Sequence, residues 1–316
     1  MPSKVRLIAI DIDGTLLPSS GTTISRRNRR ALLDAQTAGL NIVIATGRRH
    51  RYAEPVLEQV GLSPRSVMIS SNGSVVRHFD GELIARTLLP VESAQALCPA
   101  LRPFGQTMVF TFDREHAPSL VVESMASLHL RIGAWVEANR HDMVEIAPLE
   151  RAFDRDEAPI QAMLCGNIAQ VRAAQRAIAG MDLAANITMH RTEYAERDLG
   201  ILDLLPPGCS KGHALGDYAR SLGLEAAEVM AIGDNFNDQT MLEYAGQAVV
   251  MGNAGEEMRA LAVQRGWLVI QSNDEDGVAK MLEPLIRDAQ RAGSTGNSGA
   301  EVVAAVVTSE NGIRGR

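Results

Sequence analysis

Asp11 and Asp13 stand one residue apart at the end of the apolar run "LIAID", and Gly14 follows them. If the extended backbone continues through Ile12, both carboxylates point to the same side of the chain. Neighbouring carboxylates repel, so the pair is costly at a strand end unless a cation or a shuttled proton uses it. A solvated strand end with an Asp-Gly turn is the competing explanation. Three further stretches offer complementary chemistry. Thr46 and Gly47 close "NIVIATGR", where a hydroxyl and a backbone amide can donate to phosphate oxygens. Lys211 opens a helical run after the break "PPG" and can present a point charge to an anion. Asp234, Asn237 and Asp238 crowd "IGDNFNDQTML", a bunching of hard oxygen donors that suits Mg²⁺. Each stretch alone has a structural explanation, as a strand end, a surface lysine or an Asx-rich turn; their order along the chain carries the weight.

The elements needed to position these groups are visible in the pattern. "RLIAID", "LNIVIATGR", "SVMISSNGS", "EVMAIGDNFND", "QAVVMGNAG" and "WLVIQSNDEDG" are short β-rich runs ending in polar loops. Helical segments lie between several of them. After the first, Ser25 is placed to cap a helix over "SRRNRRALLDAQTAG" and Gly39 to end it. Such alternation predicts an α/β fold with a doubly wound parallel sheet, whose ligands bind beyond the carboxyl ends of the strands.

The middle of the chain differs. Asp80-Gly81 reads as a hairpin turn, and from 82 to 195 helical "ESAQALCPAL" and "AQVRAAQRAIAG" mix with strand-like "TMVFTF", "IQAMLCG" and "NITMH". This predicts an inserted α+β domain. The expected organisation is a core over 1–81, the insertion over 82–195, the rest of the core over 196–291, and a loosely ordered tail over 292–316 in which "EVVAAVV" could add a strand.

Composition excludes several classes. With 46% hydrophobic and 22% charged residues the chain of 316 can bury a real core, and its formal charge of −7 gives no basic footprint for nucleic acid or an anionic membrane. Neither a signal peptide nor a run of membrane-spanning length is seen. The three cysteines are far apart without a C-x-x-C pair, arguing against a disulfide framework or zinc site and for a reducing, cytoplasmic location. No G-x-G-x-x-G follows the first strand, which disfavours a dinucleotide-binding oxidoreductase.

Taken in order, "DIDGT", "TG", Lys and "GDNFND" resemble the motif series of the haloacid dehalogenase superfamily. The closer resemblance is to its Cof-type sugar-phosphatase branch, whose α/β cap lies between the second and third motifs, where the insertion falls here. "SNGS" at 71–74, "MGNA" at 251–254 and "SNDEDGVA" at 272–279 extend the likeness over residues 5 to 290. The resemblance implies that Asp11 attacks phosphorus to form an aspartyl phosphate. Asp13 would exchange protons with the leaving oxygen and then with water. Mg²⁺ would be held by Asp11, the carbonyl of Asp13, and Asp234, with Asp238 as direct or water-mediated support. Thr46, the amides of Ile12 and Gly47, Lys211 and Asn237 would hold the transferring oxygens.

The expected activity is Mg²⁺-dependent hydrolysis of small phosphate monoesters, sugar phosphates or related metabolites. A phosphomutase on the same framework and a non-catalytic ligand-binding module of the same fold are the alternatives. The presence of Asp13 disfavours a dehalogenase, whose halide leaving group needs no proton. His190, Arg191, Glu193 and Tyr194, late in the insertion, are the expected substrate contacts. The expected partner is a small phosphorylated metabolite; no feature fixes an oligomeric state.

Overall fold

The computed structural model describes residues 5–291 apart from 106, 116, 117, 129, 155 and 156, so the expectation for the tail lies outside the described residues. The chain opens with β1 (Leu7–Ile10), α1 (Arg26–Thr37), β2 (Asn41–Ala45), α2 (His50–Val60) and β3 (Val67–Ser70), then a pair of antiparallel strands, β4 (Val75–His78) and β5 (Leu83–Arg86). Next come α3 (Val91–Leu101), β6 (Met108–Thr111), β7 (Leu120–Val122), α4 (Gly133–Asn139) and β8 (Met143–Glu145). β9 (Gln161–Gly166), α5 (Ile168–Ala179), β10 (Thr188–Tyr194) and β11 (Leu199–Leu205) follow. The chain then forms α6 (Lys211–Ser221), β12 (Val229–Gly233), α7 (Gln239–Tyr244), β13 (Gln247–Val250), α8 (Glu256–Arg265), β14 (Leu268–Val269) and a last helix over 277–291.

Two sheets result. The larger has the order β14-β13-β12-β1-β2-β3-β4-β5 and is parallel from β14 to β3, with β4 and β5 antiparallel at one edge. Every residue of β1 is buried, and the period-2 alternation divides them between the faces. Ile8 and Ile10 pack with α1, α2 and the last helix, while Leu7 and Ala9 pack with α6, α7 and α8. The chain leaves β1 for β2 on one side and later returns to β12 on the other. That reversal opens a crevice at the carboxyl end of β1, the position where doubly wound sheets bind ligands. The expected doubly wound core is thus present.

The smaller sheet has the order β10-β11-β9-β6-β7-β8. One face packs on α3 and α5 through Phe110, Leu164, Val171 and Leu202, and its opposite face is only partly covered by α4. This is the expected α+β insertion, with both crossings displaced. β5 pairs with β4, so a break after residue 81 would cut a hairpin whose two arms share the larger sheet. β11 pairs with β10 and β9, so a break after 195 would separate a strand from its own sheet. An apolar run such as "LGILDLL" fits either sheet, and only pairing decides its place.

Local chemistry sets the key starts and stops. The Ser25 hydroxyl accepts from the Asn28 amide to cap α1, and Gly39 leaves the helix at φ +86°. Ser210 likewise accepts from the His213 amide at 3.1 Å, fixing Lys211 as the first residue of α6. Among the described residues no helix is long and apolar enough to cross a membrane.

α6 and α7 approach so closely that a Cβ on Gly212 would stand 2.2 Å from the carbonyl oxygen of Thr240. Gly212→Ala should therefore force the helices apart and destabilise the protein by about 1–3 kcal/mol. Thermal unfolding measures this; an unshifted midpoint would refute the close approach.

Candidate functional site

The amide of Asp11 donates to the Ile232 carbonyl at 3.0 Å, carrying the β1 ladder one residue past the strand. The chain then makes one wide, non-helical turn over Ile12–Leu16, closed by the Leu17 amide on the Ile12 carbonyl at 2.9 Å. Gly14 lies inside it at φ +82°, and a Cβ there would be 2.3 Å from Asp234 Oδ2. Only glycine permits both the conformation and the approach of the β12 loop. Ile12 is buried in the turn.

The third and fourth stretches meet the first behind this turn. Lys211 Nζ donates to Asp11 Oδ1 at 2.6 Å and to Asp238 Oδ1 at 2.7 Å, with the lysine wholly buried. Burial raises the Asp11 carboxyl to about 8, and the nearby Asp238 charge pushes the same way against the lysine. Burial first, then Asp11 and Asp238, also raises Asp234, although the Thr15 hydroxyl donates to it at 3.1 Å. Burial alone would lower Lys211, yet its two carboxylates hold it above its ordinary value.

Asp11, Asp234 and Asp238 each place a carboxylate oxygen within 4.8 Å of the others. One cation cannot neutralise three buried acids, so this donor set fits an added divalent ion. Asp238 is already committed: its Oδ1 accepts from Lys211 and its Oδ2 from the amides of Asp234 and Asn235 at 3.0 and 3.1 Å. Asp11 and Asp234 retain the freer oxygens.

A cleft of about 260 Å³ lies between the two sheets and reaches this cluster at Asp11. Asp11, Asp13, Gly47 and Asn237 border it from the core. Thr46 is fully buried beneath, and its hydroxyl accepts from the Arg48 amide at 3.0 Å. The Asn237 side-chain amide donates to Asn72 Oδ1 at 3.2 Å, and a Cβ on Gly47 would crowd the same oxygen at 3.1 Å.

Of the four expected substrate contacts, the cap brings only Tyr194 to the cleft. Burial, followed by the Asp13 and Asp234 charges, raises its phenol, which stays a neutral donor. Arg191 and Glu193 alternate onto the other face of β10, where Glu193 pairs with Arg172 of α5 at 2.6 Å. His190 is buried away from the cleft, beside Asp203 in the strand register, and burial lowers its imidazole. These three positions are corrected: two belong to a packed ion cluster and one to the interior.

Sequence reasoning missed residues that the fold brings in. Arg48 grips Asp13 with two hydrogen bonds of 2.8 and 2.5 Å and lies 5.0 Å from the Tyr52 ring centroid. It directly follows "TG", which was a usable signal. Asn72 adopts φ +53° in the turn after β3 and donates to Asp203 Oδ2 of the cap at 2.9 Å. Asp203 is a lone acid in an apolar strand run, a costly placement that signals a specific role. Burial pushes its carboxyl up to about 7 against the Asn72 hydrogen bond.

A doubly wound parallel sheet with an acidic pocket at its switch point, roofed by an inserted α+β domain, is the architecture of a capped α/β enzyme. The family model described as haloacid dehalogenase-like hydrolase matches residues 8–282. The chain is 29% identical over 302 residues to the 5-amino-6-(5-phospho-D-ribitylamino)uracil phosphatase YwtE of Bacillus subtilis, covering 89% of this chain and 98% of that one. It is 30% identical over 287 residues to the HMP-PP phosphatase of Serratia proteamaculans, covering 89% and 96%. A solved haloacid dehalogenase-like hydrolase from B. subtilis superposes with a TM-score of 0.71 at 27% identity, over 88% of this chain and 99% of the other. The chain belongs to the haloacid dehalogenase-like hydrolase family and is a phosphatase of its Cof type.

Removing the shared cation should expose the repulsion it masks. Lys211→Met leaves Asp11 and Asp238 buried together and should cost about 3–5 kcal/mol of stability. Thermal unfolding of the purified variant without divalent ions checks this; a midpoint equal to the wild type would show that the carboxylates do not depend on the lysine.

Proposed function

We propose that this protein hydrolyses small phosphate monoesters in a Mg²⁺-dependent reaction that passes through a phosphoryl group on Asp11. The observation that carries the reading is the convergence of Asp234, Asp238 and Lys211 on Asp11, which borders a cleft together with Asp13, Gly47 and Asn237. The names of the relatives, both phosphatases of small metabolites, support the same class.

An oxygen of Asp11 attacks phosphorus and the ester oxygen leaves as an alcohol. Asp13 supplies the proton to that leaving oxygen. It then accepts a proton from water as the water oxygen attacks phosphorus, which releases inorganic phosphate and restores Asp11. Arg48 engages both oxygens of Asp13 here, so one must be freed for either proton transfer. Lys211, Asn237 and the amides of Ile12 and Gly47 stabilise the transferring oxygens, with Thr46 fixing the loop that carries Gly47. Asp11, Asp234 and the Asp13 carbonyl would hold Mg²⁺, which offsets the charge between an anionic nucleophile and an anionic phosphoryl group. Asp238 serves by orienting Lys211 and the Asp234 loop.

Asp11→Asn should abolish phosphate release from small monoesters, and Asp13→Asn should slow it by about 10²–10⁴-fold. Turnover is followed as free phosphate together with positional isomers of a hexose phosphate. Isomer formation outpacing phosphate release would replace the hydrolytic reading with the mutase.

Chelation should silence turnover and Mg²⁺ restore it. Because a ligand that binds only the folded state stabilises it, Mg²⁺ should also raise the unfolding temperature of the wild type but not of Asp234→Asn. Full activity after exhaustive chelation would overturn the metal assignment.

A further inference from the structure

The turn after β3 touches three of the segments assigned to the phosphoryl group. The Ser71 amide donates to the Arg48 carbonyl at 2.8 Å and the Asn72 amide to the Thr46 carbonyl at 3.1 Å, which pins the turn to the loop carrying Gly47. A Cβ on Gly73 would stand 2.3 Å from the Ser210 carbonyl oxygen, so the turn also meets the residue before Lys211. The third contact is with Asn237. To fit this space Ser71 and Asn72 hold φ values of +49° and +53°, a region that side-chain-bearing residues seldom enter.

Within the turn the buried Asn72 side chain is engaged at both ends. Its Nδ2 donates to Asp203 Oδ2 of the cap at 2.9 Å, and its Oδ1 accepts from Asn237 Nδ2 at 3.2 Å. The direction of this chain of bonds is not free. A carboxylate accepts and does not donate, so Asp203 draws the N–H end of the Asn72 amide toward the cap. The oxygen end then faces Asn237, which must answer with an N–H. Were the Asn72 amide turned over, two N–H groups would oppose each other and Asn237 would have to swing away. Held as it is, Asn237 keeps a second N–H for an oxygen in the cleft that it borders.

Resting on the phosphatase reading above, we infer that Asn72 is a positioning residue that makes the grip on the transferring phosphoryl group depend on the seated cap. Asp203 sets the direction of the Asn72 amide, and the Asn72 amide sets that of Asn237. A cap residue thereby governs phosphoryl binding through two side chains of the core.

The probe is inorganic phosphate, which occupies the phosphoryl site and carries no leaving alcohol for the cap to recognise. Its inhibition constant is measured against hydrolysis of a small monoester with Mg²⁺ at about pH 8.5, where Asp203 is ionised. Asp203→Leu should weaken phosphate by about fivefold or more, and Asp203→Asn, which keeps an accepting oxygen, should stay within about twofold of the wild type. In an Asn237→Ala background the same Asp203→Leu change should alter the constant by less than about twofold, because the chain of bonds has lost its end. Loss of folded enzyme lowers the rate and leaves an inhibition constant unmoved. If Asp203→Leu does not fold, Asn72→Gly, which keeps the positive φ, takes its place with the same expectations. An inhibition constant unchanged by the substitution, or losses that multiply in the double variant, overturns the inference while the phosphatase reading stands. Absence of hydrolysis by the wild type overturns both.

Discussion

Three carboxylates and one ammonium buried at the end of a parallel sheet form the constraint around which the chain is arranged. Lys211 touches Asp11 and Asp238, and these come from three separated parts of the sequence. Burying such charges is costly unless each finds its partner, and leaving one unpaired costs more. The surrounding structure answers that demand. Ser210 fixes where α6 begins, Gly14 lets the β1 and β12 loops meet, and the amides of Asp234 and Asn235 hold the remaining oxygen of Asp238. The negative excess that persists makes this end of the sheet attractive to a cation.

The same economy governs how the two sheets are held. Asn72 reaches from the turn after β3 to Asp203, Arg49 to Asp142, and Arg77 to Asp113 at 2.8 Å. Each pair joins a core residue to a cap residue, and each is largely shielded from water. Asn72 also supports Asn237, so a single amide side chain ties the cap to the loop beside the acidic cluster. Seating of the cap and order in the pocket are therefore coupled through direct hydrogen bonds.

Much of this was legible in the sequence. Strand periodicity, capping serines and acidic loop residues suffice to place Asp11, Asp13, Gly47, Asn237 and the acidic cluster at one edge of the sheet. What was not legible depended on pairing and on facing. The apolar run containing β11 carries no mark of which sheet it joins, and β5 follows a turn that looked like a boundary. Arg191 and Glu193 were polar and near the right place, but a strand turns alternate residues to opposite faces, and their register sends Glu193 to Arg172 and Arg191 to Glu193 and Gln175. Asp203 bore the clearest unread signal, an acid surrounded by leucines.

That alternation divides labour along β9 and β11. Ala162, Leu164, Leu202 and Leu204 build the cap interior, while Gln161, Met163, Ile201 and Asp203, interleaved with them, face the cleft. The cleft-facing residues are thus distinct from those packed under α3 and α5, although Met163 and Ile201 also pack on the smaller cluster beside α4. Polar cleft-facing positions such as Gln161 can change without touching the apolar layer under α3 and α5, and the acidic cluster, anchored in the other sheet, is independent of them. A lineage built this way can diversify its chemistry of recognition while inheriting its chemistry of reaction intact.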